Sequence, residues 1–248
     1  MPISSNTLFH FTDGVYSIIN ILTLGFRPKY CLEDFSTIFS SPFKIGEVAI
    51  PMTCFCDLPL SQTEKHRRFY GGYGIGMNKE WGVRNKMNPV IYVCPNSYLA
   101  RQFQSIKTYT AILHDQKVGR FLFQIASRTK LYKGQIWRRG RYKRKCFYDE
   151  REWRFVPNKA DFSSFVLEKK QYLDEKIRAN ANKKILEIFK IPFNPDDIKY
   201  IIIKNESGRL GMIKAIEEIK GGLYHYNQDI VRILSSKIIT SEQIAEDF

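Results

Sequence analysis

Apolar and polar residues alternate along the chain in two patterns, one with a period of two residues and one with a period of three to four. The opening segment TLFHFT (7–12) has the first pattern, which predicts a short strand. The segment after it has apolar residues on one helical face, and we predict a helix that Asp13 caps and Gly25 ends. Strands and helices follow one another to the end of the chain, which predicts a fold of mixed α and β structure, assigned here to the α+β class.

The same two patterns predict further elements. Predicted strands are VAIPMTCFC (48–56), YGIGM (73–77), NPVIYV (88–93), EWRFV (152–156), IKYIIIKN (198–205) and DIVRILSSKI (229–238). Predicted helices are DLPLSQTEKHRRF (57–69), KEWGVRNK (79–86), the charged region around 168–183, GRLGMIKAIEEIK (208–220) and a final helix opened by SEQ (241–243). We expect Asp57 to begin the first of these helices, with Pro59 in its first turn.

The length and composition of the chain favour one domain with an insertion. With 248 residues and 44% hydrophobic composition, the chain can bury a sizeable core, and its length suits one large domain or two small ones. From residue 97 to about residue 130 the pattern turns helical, and a basic segment follows. We predict a single domain over residues 1–248, in which residues 97–146 form a helical and basic-loop insertion.

The charge balance is strongly basic. The chain carries 39 Lys and Arg against 25 Asp and Glu, which gives a net charge of +14. This charge exceeds what solubility requires, so it indicates a polyanionic partner or substrate, of which nucleic acid is one.

Cysteine usage and the N-terminal sequence indicate the cellular compartment. The five cysteines form no CxxC pair and have no histidine at ligand spacing, so we expect neither a structural zinc site nor a disulfide framework. The N-terminus lacks the basic and apolar regions of a signal peptide, and no apolar run approaches the roughly 20 residues that a membrane span requires. We therefore expect a cytoplasmic protein that does not interact with a membrane.

His10 and Thr12 lie two residues apart in the first predicted strand. Because strand side chains alternate, the imidazole and the hydroxyl would share one face of the sheet, where they could hold a ligand. The alternative is a partly buried histidine whose hydrogen bonds are satisfied by the backbone.

Glu150 and Glu152 lie two residues apart at the start of the predicted strand EWRFV. Their carboxylates can face the same way, and such a pair suits a reaction with a cationic transition state, such as cleavage of a glycosidic bond. The alternative is a solvated charged turn in which both glutamates pair with neighbouring arginines.

The segment YGGYGIG (70–76) combines tyrosines with glycines. Glycine lets the backbone approach a ligand closely, and Tyr70 or Tyr73 could stack on a flat ring. The segment fits neither the GxGxxG dinucleotide pattern nor a Walker motif. The alternative is a tight turn followed by a packed strand.

A basic stretch runs from Arg128 to Lys145 without an acidic residue. Within it, the candidates for nucleic-acid binding are Trp137, Arg138, Arg139, Arg141, Lys143, Arg144 and Lys145. Cations neutralise phosphates, and interleaved aromatic side chains stack on unpaired bases. The alternatives are an acidic protein partner and a contribution to solubility alone.

Several of these stretches together resemble the AbiGi family of bacterial abortive-infection proteins, which act in phage resistance. The matching stretches are SNTLFHFTD, RPKYCLEDF, VAIPMTCFCDLPLSQ, YGGYGIGMNKEWG, NPVIYV and FYDEREWRFVP, and they cover most of residues 4–158. The resemblance implies a role as the antitoxin-side component of an abortive-infection pair.

The same layout resembles the ADP-ribosyltransferases of the histidine–tyrosine–glutamate class and the DarT-type toxins. That resemblance implies a split central sheet flanked by helices, with NAD as co-substrate and no metal. His10 and Thr12 would anchor NAD, and Tyr73, or less closely Tyr70, would stack on the nicotinamide. Thr53 would stand where relatives carry the serine-threonine-serine element.

In this interpretation Glu152 is the catalytic residue and Glu150 orients or deprotonates the nucleophile. The resemblance therefore predicts an NAD-dependent mono-ADP-ribosyltransferase toxin that modifies nucleic acid or a protein of translation or replication. The competing hypothesis is a non-enzymatic antitoxin or sensor that binds nucleic acid or a cognate protein through the basic stretch. A nuclease is disfavoured because no Asp/Glu set has metal-ligand spacing.

Overall fold

The computed structural model describes residues 4–36, 46–105, 116–138, 141–158, 166–219 and 227–247. Its strands, in chain order, are β1 (Thr7–Thr12), β2 (Lys29–Asp34), β3 (Glu47–Cys56), β4 (Tyr73–Asn78), β5 (Asn88–Pro89), β6 (Ile91–Val93), β7 (Thr129–Leu131), β8 (Lys133–Arg138), β9 (Arg141–Cys146), β10 (Glu152–Phe155), β11 (Leu167–Glu168), β12 (Ile198–Ile203) and β13 (Ile238–Thr240). Its helices are α1 (Val15–Leu24), α2 (Glu64–Tyr70), α3 (Lys79–Arg84), α4 (Tyr98–Ser105), α5 (Gln116–Ala126), α6 (Lys169–Leu173), α7 (Glu175–Ile188), α8 (Arg209–Glu218), α9 (Gln228–Ser236) and α10 (Ser241–Asp247). The α+β prediction is confirmed.

The chain divides into two compact units. The first unit comprises Met1–Arg27, Cys54–Met87 and Lys190–Phe248, and the second comprises Pro28–Thr53 and Asn88–Phe189. Strand β3 begins in the second unit and ends in the first. Residues 97–146 all belong to the second unit, and their role as an insertion within a single domain stays a prediction.

The first unit contains a mixed sheet. β1 pairs antiparallel with β4 and with the end of β3, β4 pairs antiparallel with β12, and β12 pairs parallel with β13. Phe9 and Phe11 of β1 pack with Cys56, Ile202 and Ile244 into an apolar cluster on one face of this sheet. Alternation along β1 therefore separates these two aromatic rings from His10, which lies on the other face.

Glycines of β4 make room for the aromatic rings of β1. The strand register pairs Phe9 with Gly76 and Phe11 with Gly74. A Cβ atom at Gly76 would lie 2.8 Å from the ring of Phe9, and one at Gly74 would lie 2.8 Å from the ring of Phe11. These two glycines are thus part of a packed strand, as the alternative interpretation of YGGYGIG expected.

The second unit is built from shorter pairings. β2 and β11 each pair antiparallel with β3, and β5 pairs antiparallel with β10. β6 pairs parallel with β7, and β8 pairs antiparallel with β9. Tyr30, Ala49 and Ile185 form a small core in which α7 covers strands β2 and β3. This unit contains the predicted catalytic strand and the predicted basic segment.

Two predictions about element type are wrong. DIVRILSSKI is mainly helix α9 because its more buried positions, 230, 231 and 234, recur at helical steps, and only its end reaches β13. The predicted basic loop is the β8–β9 hairpin, whose alternation the cationic residues obscure. The helical prediction for 97–130 holds for α4 and α5, and residues 106–115 lie outside the described ranges.

Three predicted boundaries also need correction. The N-cap of α1 is Gly14 and not Asp13, whereas Gly25 ends that helix as predicted. Asp57 begins no helix, because its carboxylate accepts hydrogen bonds from the Ser5 amide and from Lys79, and α2 begins at Glu64. NPVIYV is divided between β5 and β6.

The packing of rings over glycines leads to a stability prediction. We expect Gly76→Ala to lower the free energy of unfolding by about 1–3 kcal/mol because the new methyl group overpacks the Phe9 ring. Gly211→Ala is the matched control, since nothing lies within 4 Å of a Cβ there and alanine favours the helix. Urea unfolding monitored by circular dichroism measures both, and equal effects of the two substitutions would contradict this account of β4.

Candidate functional site

A tight turn brings the two predicted catalytic glutamates together. Residues Phe147–Glu150 form a short 3₁₀ helix, Arg151 has a φ of 44°, and Glu152 begins β10. Both carboxylates then meet one cation, because the Lys130 ammonium lies 3.1 Å from Glu150 Oε2 and 2.8 Å from Glu152 Oε2. The expectation that these two carboxylates face the same way is met in this geometry.

Further cations occupy the remaining carboxylate oxygens. Lys145 Nζ lies 2.6 Å from Glu150 Oε1. The Arg154 guanidinium binds both oxygens of Glu152, with Nε 2.7 Å from Oε1 and Nη2 3.2 Å from Oε2. Glu150 is only 3% exposed and Glu152 5% exposed. The pairing of Glu152 with the neighbouring Arg154 agrees with the alternative interpretation, but the turn is not solvated, because these ion pairs are buried.

Arg154 links this pair to a third carboxylate. Its side chain is fully buried, its Nη2 donates to Glu33 Oε1 at 2.9 Å, and its Nη1 donates to the Ser127 carbonyl at 3.0 Å. We call the resulting set of side chains the ion-pair cluster, which consists of Glu33, Lys130, Lys145, Glu150, Glu152 and Arg154. Three cations balance three carboxylates, as burial of charge requires.

The contacts within the cluster favour the charged forms of Lys130 and Glu150. Burial alone would lower the pKa of Lys130, but the carboxylates of Glu152 and Glu150 outweigh burial and raise that pKa well above its ordinary value. Burial would raise the pKa of Glu150, but the charges of Lys130 and Lys145 outweigh it, and the pKa is lowered. Tyr92 accepts a hydrogen bond from the Glu152 amide, and burial raises the pKa of its phenol.

The predicted NAD-anchoring residues lie in β1 of the first unit. His10 Nδ1 donates to the Cys54 carbonyl at 2.8 Å, and the His10 ring packs against Phe26 and Phe55. This geometry matches the interpretation of a partly buried histidine with a backbone partner. Thr12 lies two residues further along the same strand. The two roles assigned from the sequence require His10 and Glu152 to border one NAD pocket, and that requirement stays a prediction.

The other predicted NAD-binding residues occupy three different elements. Tyr73 begins β4 and is half-buried, and Tyr70 ends α2 with its ring 4.5 Å from the ring of His66. Thr53 is buried in β3, and its hydroxyl has no hydrogen-bond partner among the described residues. Their assignment to NAD stays a prediction.

The predicted nucleic-acid-binding residues belong to the β8–β9 hairpin. Arg144 is exposed, Lys143 is half-buried, and Lys145 is bound to Glu150 within the ion-pair cluster. For Trp137, Arg138 and Arg141 the structure describes the strands to which they belong, and Arg139 lies outside the described ranges. In the part of the chain that the structure describes, no group of three His, Cys, Asp or Glu side chains could hold a metal ion.

Comparison with known proteins identifies the family. The family model that matches is AbiGi, described as an abortive phage resistance protein and antitoxin, and it covers residues 25–204. The chain belongs to the AbiGi family. It is also 29% identical over 255 aligned positions to the abortive phage resistance protein AbiGi of Lactococcus lactis subsp. cremoris, with 91% of this chain and all of that protein covered. No solved structure matches the chain.

The match to the AbiGi model includes all six members of the ion-pair cluster. The family resemblance expected from the sequence is therefore confirmed, and with it a role in abortive phage resistance. The resemblance to ADP-ribosyltransferases is a separate hypothesis.

None of the helices in the described ranges combines the length and the apolar character that a membrane span requires.

Sequence reasoning missed Lys130, Lys145 and Tyr92 as partners of the two glutamates. It also missed Glu33 as a partner of Arg154. A local signal existed for Arg154, which shares a strand face with Glu152 because the two are separated by one residue. Lys130 was recognised only as part of the basic stretch. Glu33 lies 121 positions from Arg154, so no local pattern could have indicated that contact.

The lowered pKa of Glu150 predicts a dependence of stability on pH. Because the pKa in the folded protein lies below its ordinary value of 4.5, the charged carboxylate contributes stability above about pH 4.5. That contribution disappears as the pH falls through the folded pKa. Glu150→Gln should therefore lower the free energy of unfolding by about 3 kcal/mol at neutral pH, and the difference from the wild type should shrink on acidification.

Urea unfolding at a series of pH values measures this difference. Glu246→Gln serves as the control, since Glu246 is exposed and its replacement should change the free energy of unfolding by less than about 0.5 kcal/mol. A constant gap between Glu150→Gln and wild type from neutral to acidic pH would contradict the prediction.

Proposed function

We propose that the chain is the antitoxin-side component of an abortive-infection pair and that it acts by binding a cognate toxin, without catalysis. The observation that carries this proposal is the state of Glu152. Its Oε1 accepts from Arg154, its Oε2 accepts from Lys130 and Arg154, and the side chain is buried. A carboxylate held in this way stabilises the protein.

The energetic cost of freeing Glu152 supports the same proposal. A catalytic carboxylate in a glycosidic reaction must bond the sugar hydroxyl of its substrate. To do so here, Glu152 would have to leave Lys130 and Arg154. These two buried cations would then lose one of the carboxylates that balance their charge. Breaking a buried ion pair from one side costs about 3–5 kcal/mol, and substrate binding would have to offset that cost.

The family supports the proposal from a different direction. The AbiGi model is described with the word antitoxin, and the Lactococcus lactis relative is named an abortive phage resistance protein. An antitoxin that acts by binding its toxin needs a surface for that partner and no reactive centre. The described part of the chain therefore suits a protein whose buried charges stabilise the second unit and whose exposed surface binds the toxin.

The ADP-ribosyltransferase hypothesis is the second proposal. It is favoured by the proximity of Glu150 and Glu152, whose carboxylates both contact Lys130. In this proposal His10 and Thr12 anchor NAD, and Tyr73 stacks on the nicotinamide. Glu152 bonds the ribose after Lys130 and Arg154 have released its carboxylate. The buried pairing of Glu152 favours the antitoxin proposal over this one.

A growth experiment separates the two proposals. We expect expression of the chain alone to leave growth unchanged, and its deletion from the intact defence locus to arrest growth. Because Glu152→Gln removes a charge but keeps the shape of the side chain, the variant should still relieve that arrest at a temperature where it remains folded. Growth curves and circular dichroism provide the two readouts.

A different set of results would support the transferase proposal. Growth arrest by the chain alone, relieved by Glu152→Gln and accompanied by transfer of label from NAD in extracts, would overturn the antitoxin proposal and support the transferase. Thr12→Ala is the second variant for that case, since it should also abolish transfer without touching the ion-pair cluster.

A further inference from the structure

The β8–β9 hairpin has two chemically different faces. Exposure alternates along β8, where Lys133 and Gln135 are exposed while Gly134 and Ile136 are half-buried. The register pairs Gln135 with Arg144, which is exposed as well. Directly opposed residues of an antiparallel pair share a face, so these exposed residues define one outer face of the hairpin.

The inner face attaches the hairpin to the rest of the second unit. Gly134 lies against Phe147, because a Cβ atom there would be 2.8 Å from the phenyl ring. Lys145, which the register pairs with Gly134, reaches the buried carboxylate of Glu150. The ion-pair cluster thus determines which face of the hairpin meets the solvent.

The outer face is cationic. Lys133 and Arg144 lie on it, and both are exposed. The two strands contain no acidic residue.

An exposed aromatic group lies at the base of the hairpin. Tyr132 precedes β8 and Tyr148 follows β9, and their ring centroids are 5.6 Å apart. Tyr148 is 46% exposed. Lys133 Nζ lies 5.2 Å from the centre of the Tyr132 ring, and Arg151 Cζ lies 5.7 Å from the centre of the Tyr148 ring. Cations and flat rings therefore occur side by side on this surface.

We propose that this surface binds single-stranded nucleic acid. Lys133, Arg144 and Arg151 would neutralise phosphates, and an unpaired base would stack on the exposed ring of Tyr148. The exposed carboxylate of Asp149, beside Tyr148, reduces the positive charge without reversing it. We define the nucleic-acid surface by these residues, namely Lys133, Arg144, Tyr148 and Arg151.

The aromatic component decides between single strands and other polyanions. In a duplex the bases are stacked on each other and are not available to a protein ring, whereas an acidic peptide has carboxylates but no flat ring for each charge. An arrangement of exposed tyrosine flanked by cations therefore favours a single strand. This activity goes beyond the antitoxin role and does not depend on it.

Fluorescence anisotropy with the full-length protein tests the stacking contact. The probes are labelled oligo-uridine and oligo-thymidine of about 20 nucleotides, which exceeds the 4–16 that comparable modules cover, and a duplex of equal length. Tyr148→Ala should weaken single-strand binding by about 5- to 100-fold through loss of a stacked base. Tyr16→Ala, which removes a tyrosine that is 78% exposed in α1, should leave it unchanged.

The charge contribution is tested with two double variants of equal charge change. Lys133→Glu/Arg144→Glu should abolish most binding and reduce the slope of log Kd against log salt by about 1.4, at about 0.7 per phosphate contact. Lys183→Glu/Lys184→Glu alters two exposed lysines of α7 by the same charge and should have a much smaller effect.

Each variant is compared only if its circular dichroism spectrum matches that of the wild type, which shows that it is folded. The proposal is overturned if the folded wild-type protein binds duplex as tightly as single strands, if Tyr148→Ala binds like Tyr16→Ala, or if the two double variants behave alike. Relief of growth arrest, described above for the deletion in the defence locus, is measured separately. A failure of nucleic-acid binding therefore does not count against the antitoxin proposal.

Discussion

The pairing of the buried Arg154 guanidinium with Glu152 is the interaction on which the second unit depends. Charge in a protein interior is costly unless each group is matched, and here Lys130 and Glu33 complete the balance around that pair. The members of the ion-pair cluster come from β2, β7, β9, β10 and the turn before β10. One set of contacts therefore connects elements that are distant in sequence, and loss of any member leaves another charge buried without its partner.

This constraint links the interior to the surface. Lys145 belongs to the inner face of the hairpin because Glu150 holds its ammonium, and alternation then places Arg144 on the outer face. The same glutamates that suggest catalysis from the sequence thus orient a cationic surface. The second unit of the AbiGi chain thus combines a charge-balanced interior with a cationic outer face of the hairpin. Both the antitoxin proposal and the nucleic-acid surface depend on that division.

The spacing of apolar residues predicted most elements in which that spacing follows one clear period, of either two or three to four residues. Strand β1 and helix α1 follow directly from alternation and from three- and four-residue steps, and EWRFV was recognised as strand β10. The hairpin was missed because Lys and Arg occupy both of its faces, which hides the alternation that apolar residues would have shown. Helix α9 was missed because its β-branched apolar residues favour a strand locally, although helical packing prevails in the fold.

The candidate site was predictable only in part. Spacing predicted a shared orientation of Glu150 and Glu152 by strand alternation, but in the structure the tight turn at Arg151 produces it. Their burial was not predictable, since it involves Glu33 and Tyr92 from remote parts of the chain. Residue spacing indicates which groups can be neighbours, and it does not indicate which cations will neutralise them. The distinction between a catalytic pair and a structural pair is therefore a property of the tertiary contacts.

A double-mutant cycle tests the central claim most directly. The free energy of unfolding is measured for wild type, Lys130→Met, Glu152→Gln and the variant with both substitutions. If the cluster stabilises the second unit, the double variant will be less destabilised than the sum of the single variants, by about 1–3 kcal/mol. Additivity within about 0.5 kcal/mol would contradict the account, because Lys130 and Glu152 would then contribute to stability independently.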